Sequence, residues 1–129
     1  REDAILRTEV AGEEGSRVAV HEILDGPEPP TAIFAANNRA LSGALRALHE
    51  RGAQNDVGFI GFDDITLLDL LRPAVSVVAQ DPHRLGELAA ERILARMAQG
   101  PLEPVTLEVP TTLIERGSGE IPGPFIAES

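Results

Sequence analysis

At 129 residues the chain is long enough for a single hydrophobic core, and it contains no cysteine, tryptophan or tyrosine. That excludes disulfides, cysteine-based metal sites and thiol chemistry, and it leaves Phe34, Phe59, Phe62 and Phe125 as the only rings that could stack on a ligand. With 21 acidic and 11 basic residues the net charge is −10, which repels phosphate backbones, so these residues are not by themselves a nucleic-acid-binding surface.

Ala4 to Val10 has the apolar and β-branched character of a short strand, and Gly12 to Gly15 breaks it. Ser16 to Leu24 places Val18, Ala19, Val20 and Ile23 at helical spacing, with Asp25-Gly26-Pro27 as the stop. A stiff Glu28-Pro29-Pro30 connector leads into a strand over Thr31–Ala36. Asn37 or Asn38 then caps a helix whose Leu41, Ala44, Leu45 and Leu48 form an apolar stripe, closed by Gly52. Val57–Phe62 is nearly all apolar, as strands covered on both faces tend to be.

Asp63-Asp64 is expected to cap a short Leu-rich helical turn through Ile65, Leu67, Leu68, Leu70 and Leu71, ending before Pro73. Val75–Ala79 is a third strand, and Pro82 opens the longest helix, about His83–Ala98, with Leu85, Ala89, Ile93 and Met97 on one side. Val105–Val109 and Thr112–Glu115 read as two strands split by Pro110, which cannot donate to a ladder. Gly117 to Ser129 lacks periodicity and reads as a tail. Alternating strands and helices with short connections predict an α/β sheet. No apolar run approaches the roughly 18–20 residues needed to cross a bilayer. The chain opens at Arg1 in mid-pattern, so it reads as a fragment of a longer protein or a processed product.

Asn37, Asp63 and Gln80 are the first polar side chains beyond three successive strands. In an open parallel sheet, ligands bind in the crevice beyond the carboxyl ends of the strands. Each residue also has a local use. Asn37 or Asn38 can cap the next helix, one of Asp63 and Asp64 can cap the turn after it, and Gln80 with Asp81 can form a turn before Pro82. Arg7 is either a solvated edge residue or a bidentate clamp on a ligand. Adjacent carboxylates on a turn rarely supply the roughly 5–9 Å separation of an acid/base pair. His21, His49 and His83 lie apart, without metal-ligand spacing, and read as surface residues. There is no glycine-rich phosphate loop and no G-x-S-x-G elbow. The residues thus point to a receptor for a small polar molecule, with no catalytic residue, cofactor or metal expected.

Four runs carry a resemblance: PTAIFAANNxxLxGALRALxERG over 30–52, DVGFIGFDD over 56–64, RPAVSVVAQDPxxLG over 72–86 and LIERGS over 113–118. In order and spacing, from about Gly15 to Ser118, they resemble the lactose-repressor/galactose-repressor (LacI/GalR) family of bacterial transcription regulators. The resemblance implies a three-layer α/β/α, periplasmic binding protein-like I fold. Residues 1–79 and 111–118 would belong to its C-terminal lobe, 80–110 would be elements of the other lobe, and 119–129 a flexible tail.

It also implies operator DNA binding through an N-terminal helix-turn-helix head that these residues lack, a cytoplasmic location, and an effector such as a sugar or related metabolite. Asn37 and Asp63 match the family's effector-binding positions, Gln80 a residue at the lobe crossover, and Arg7 lies near the effector-clamping arginine, displaced by about one residue. Two departures stand out: the common A-N-D reads Ala36-Asn37-Asn38, and an often aromatic position is Val10. The family's homodimer interface would fall on Leu41, Ala44, Leu45 and Leu48 and on Leu67, Leu70 and Leu71. Without the first lobe, the apolar side of His83–Ala98 would lack its partner sheet.

Two other readings compete. A solute-binding protein of a transport system shares the two-lobe fold but has a secretion leader and no DNA head. An enzyme on a similar scaffold would need a nucleophile or base constellation that the sequence does not offer.

Overall fold

A computed structural model describes residues 12–122. Helix α1 (Gly12–Leu24) is followed by strand β1 (Ala32–Ala35), helix α2 (Asn38–Glu50) and strands β2 (Gly58–Phe62) and β3 (Ser76–Ala79). Helix α3 (Pro82–Gln99) and strand β4 (Thr112–Ile114) complete the described chain. The sheet order is β1-β2-β3-β4, with the first three strands parallel and β4 antiparallel to β3. The expected strand at Ala4–Val10, with Arg7 on it, lies outside the described residues, as does Val10 as a ligand neighbour.

The register puts Ala35 beside Gly61, Gly61 beside Val77 and Val77 beside Ile114. Side chains alternate across a sheet, so these residues with Ile33, Phe59 and Val75 share one face. That face is the core. α2 lies on it through Leu41, Ala44, Ala47 and Leu48, and α1 packs on α2. Leu41 sits over Gly61, where an added Cβ would lie 2.1 Å from Leu41 Cδ1. A side chain at Gly61 would therefore have to displace Leu41 from its place over the sheet. Across the helix pair, Arg17 and His21 both reach the carboxylate of Glu50, at 2.9 and 2.8 Å.

On the opposite face the chain around Gly119 crosses Ile60 and Ser76, while Phe34 and Leu113 remain exposed. Ser118 ties this crossing down. Its hydroxyl donates to Phe59 O at 2.6 Å and accepts from Ser76 N at 2.8 Å, and its own carbonyl accepts from Phe59 N at 2.7 Å.

Five expectations need correction. Gly117 to Glu120 is not tail but lies on the sheet, held by the Ser118 hydrogen bonds and by Ser76 Oγ donating to Glu120 at 3.3 Å. α1 begins at Gly12, so Gly12–Gly15 starts a helix rather than breaking the chain; Glu13 and Glu14 in its first turn suit the positive end of the helix dipole. Its buried side is Ser16, Ala19 and Val20, and Val18 is exposed. The Leu-rich stretch 65–71 is a series of turns, because Leu67 has φ of 78° and Asp64 is engaged elsewhere instead of capping. Val105–Val109 forms no strand; flanked by Pro104 and Pro110, it has no ladder partner among the described residues and runs beside α3.

α3 itself starts as read, with Pro82 in its first turn and Asp81 accepting from Arg84 N at 2.9 Å. None of its residues is buried, and Met97 is 78% exposed.

Candidate functional site

Because β1, β2 and β3 are parallel neighbours in register, their carboxyl ends deliver Asn37, Asp63 and Gln80 to one edge of the sheet. The three do different things there. Asn37 has extended backbone (φ −161°, ψ 167°), and its Oδ1 accepts from Ala40 N at 2.9 Å, so it is the cap of α2. Asn38 is the first residue of the helix and does not cap it.

Asp63 and Gln80 meet directly, Gln80 Nε2 donating to Asp63 Oδ1 at 2.6 Å. Asp63 is held in the left-handed region, φ 74°, while its backbone N–H extends the β2–β3 ladder by donating to Val78 O at 3.0 Å. Aspartate tolerates that conformation better than most residues, and strained backbone of this kind gathers at functional sites.

The neighbouring carboxylate is spent otherwise. Asp64 accepts two hydrogen bonds from Arg116, Oδ1 from Nη1 at 2.8 Å and Oδ2 from Nη2 at 2.7 Å. The hydrogen bonds from this guanidinium hold the Asp64 carboxyl below its usual range, against a smaller desolvation effect that opposes it. Of the two acidic residues, then, Asp63 faces the strand-end rim. Arg116 and the Ser76–Ser118 pair escaped the sequence reading. A serine inside the apolar run V-S-V-V was the available signal, since a buried hydroxyl must find partners.

The edge offers amide donors from Asn37 and Gln80 and a carboxylate acceptor from Asp63, which suits hydroxyl groups of a small polar ligand. Two concavities among the described residues lie elsewhere. One, about 610 Å³, is lined by charged residues of α1 and α2 such as Arg17, Arg46 and Glu50. The other, about 320 Å³, runs between α3 and Val105–Leu107.

The expected dimer surface needs revision. Leu41, Ala44 and Leu48 are at most 1% exposed and belong to the domain's own core, so they cannot meet a partner. Leu45 and Leu71 are half-buried against that core. Leu67 and Leu70 are 60% and 63% exposed.

The profile of the periplasmic binding protein-like domain matches residues 2–119, nearly the whole chain. The chain belongs to that family. Among curated relatives, the ribose operon repressor of Escherichia coli is 33% identical over 102 residues, covering 78% of this chain and 31% of that protein. The HTH-type transcriptional repressor PurR of Yersinia pestis is 34% identical over 127 residues, covering 97% and 37%. A LacI-family regulator of Enterococcus faecalis, solved with bound ribose, superposes with a TM-score of 0.71 at 32% identity, covering 86% of this chain and 41% of that one. These likenesses place the chain with the effector-binding domains of LacI/GalR regulators. The chain spans about a third of the length of the curated relatives it matches. Among the described residues, no helix of this periplasmic binding protein-like domain is long and apolar enough to cross a membrane.

Proposed function

We propose that this chain is the effector-sensing part of a repressor-type transcriptional regulator, with Asn37, Asp63 and Gln80 as effector contacts and a sugar of the pentose class as the ligand. The observation that carries this reading is that the three residues follow the carboxyl ends of adjacent parallel strands, with Asp63 and Gln80 in contact. The ribose named for a relative and for a structural neighbour supports the ligand class. Operator DNA would be bound by a separate head in the longer, cytoplasmic protein, since a net charge of −10 suits no phosphate backbone.

On this reading α3 and residues 101–110 belong to the opposite lobe, which explains why the apolar side of α3 is uncovered. Closure of that lobe on the ligand shifts the regulator between two states only by the ligand's differential affinity for them. Leu67 and Leu70 form the remaining apolar dimer patch, joining two copies about a twofold axis.

The experiment is a thermal-shift screen of sugars, nucleobases and sugar phosphates on the full-length protein, repeated with Asp63→Ala. A ligand that binds the native state raises the melting temperature by mass action. A pentose is expected to raise it, and Asp63→Ala to abolish the rise. A pentose shift that survives Asp63→Ala places the ligand elsewhere.

A further inference from the structure

The adjacent carboxylates of Asp63 and Asp64 are sent in opposite directions. Asp63 faces forward, its Oδ1 accepting from Gln80 beyond the end of β3. Asp64 is drawn back to Arg116, whose Nη1 also reaches Val75 O at 3.4 Å, at the other end of β3. Arg116 is itself anchored in the sheet: its backbone N–H donates to Ser76 Oγ at 2.9 Å, and Ser76 is fully buried. Of the two acidic residues, Asp63 is the one with a left-handed backbone, φ 74°. A left-handed residue other than glycine carries some backbone strain, less for aspartate than for most, so contacts that hold the turn matter to where its side chain goes.

We infer that Arg116 is a positioning residue for the effector site: by clamping Asp64 toward the start of β3, it holds Asp63 in its left-handed turn with the carboxylate on the rim. This rests on the proposed role of Asp63 in ligand binding. The clamp is directional because a guanidinium grips both oxygens of a carboxylate in one plane, whereas an ammonium is a point charge that fixes no plane. Lysine at this position keeps the charge and loses the orientation. Gln80 alone does not supply the same constraint, because its amide touches only one oxygen of Asp63.

The test uses the full chain, ¹⁵N-labelled, as wild type, Arg116→Lys and Arg116→Gln, under conditions where urea titration shows all three folded. Three quantities are read: the chemical shift of the Gln80 side-chain amide, hydrogen exchange of the Val77 backbone amide as a core reporter, and the Kd for D-ribose. In Arg116→Gln the Gln80 resonance moves to the solvated position, Val77 exchange stays unchanged, and ribose affinity falls on the order of ten-fold, with Arg116→Lys in between. An unmoved Gln80 resonance in Arg116→Gln overturns the inference, whatever ribose does. Parallel loss of Val77 protection also overturns it, since that marks general loosening. If wild type binds no ribose but the Gln80 resonance responds, positioning by Arg116 holds and the pentose reading fails.

Discussion

Gly43 sits where α1 crosses α2, and its replacement by alanine separates two opposing effects. In an exposed helix interior, alanine is favoured over glycine by about 1 kcal/mol. At Gly43, however, an added Cβ would lie 2.0 Å from the carbonyl oxygen of Glu13 and 2.9 Å from Arg17 N. Both are backbone atoms and cannot swing aside. Restoring an ordinary contact distance requires α1 to retreat by more than about 1 Å, a displacement that close-packed interiors resist.

That retreat stretches the bond from Ser16 Oγ to Ala40 O, now 2.8 Å, and loosens Ala19 and Val20. Overpacking costs about 1–3 kcal/mol and the hydrogen bond about 1 more, so Gly43→Ala is expected to destabilise by a net 1–3 kcal/mol. Gly86 provides the internal control. It lies inside α3, and a methyl group added there would meet nothing within 4 Å, so Gly86→Ala should be neutral or stabilising by up to about 1 kcal/mol. Urea unfolding of both variants reads the difference in midpoint. A Gly43→Ala protein as stable as wild type would refute the tight crossing of α1 and α2.

Other outcomes follow from the same contacts. Ser118→Ala leaves Ser76 N and Phe59 O without their buried partner and should cost about 2–4 kcal/mol in urea unfolding. Asp64 has a folded-state pKa below its ordinary 3.8, so it contributes stability above that value and loses it as pH falls through the folded one. Asp64→Asn should therefore lower the unfolding free energy at pH 7 by about 1 kcal/mol, as for a partly exposed pair, and flatten the decline below about pH 4. Glu50, held below its usual range first by His21 and then by Arg17, titrates in the same direction. Replacing both Leu67 and Leu70 by lysine should weaken self-association in sedimentation while leaving the core packing of each copy intact, since neither side chain is in the core.

The parts of the fold legible in the sequence are those fixed by local chemistry. α2 announces itself by Asn37, its apolar stripe and Gly52, and α3 by Asp81 and Pro82. β1, β2 and β3 show as short apolar runs that stop at polar residues. The failures are cases where a distant residue decides. The leucines of 65–71 repeat at helical spacing, but Asp64 is occupied by Arg116, 52 residues away, and the segment turns instead. The stripe of Leu41, Ala44 and Leu48 reads equally well as a core or a partner surface, and their burial against the sheet, at most 1% exposed, decides for the core. The strand-end position of Asn37, Asp63 and Gln80 was legible; the contact between Asp63 and Gln80, which depends on the β2–β3 register, was not.

The most direct test titrates D-ribose into the ¹⁵N-labelled full-length protein and maps which resonances shift. The largest changes are expected at the side-chain amides of Asn37 and Gln80 and at the backbone amides of residues 62–64. Shifts concentrated instead in the charged groove between α1 and α2, with the strand-end amides unmoved, would contradict an effector site at the strand ends.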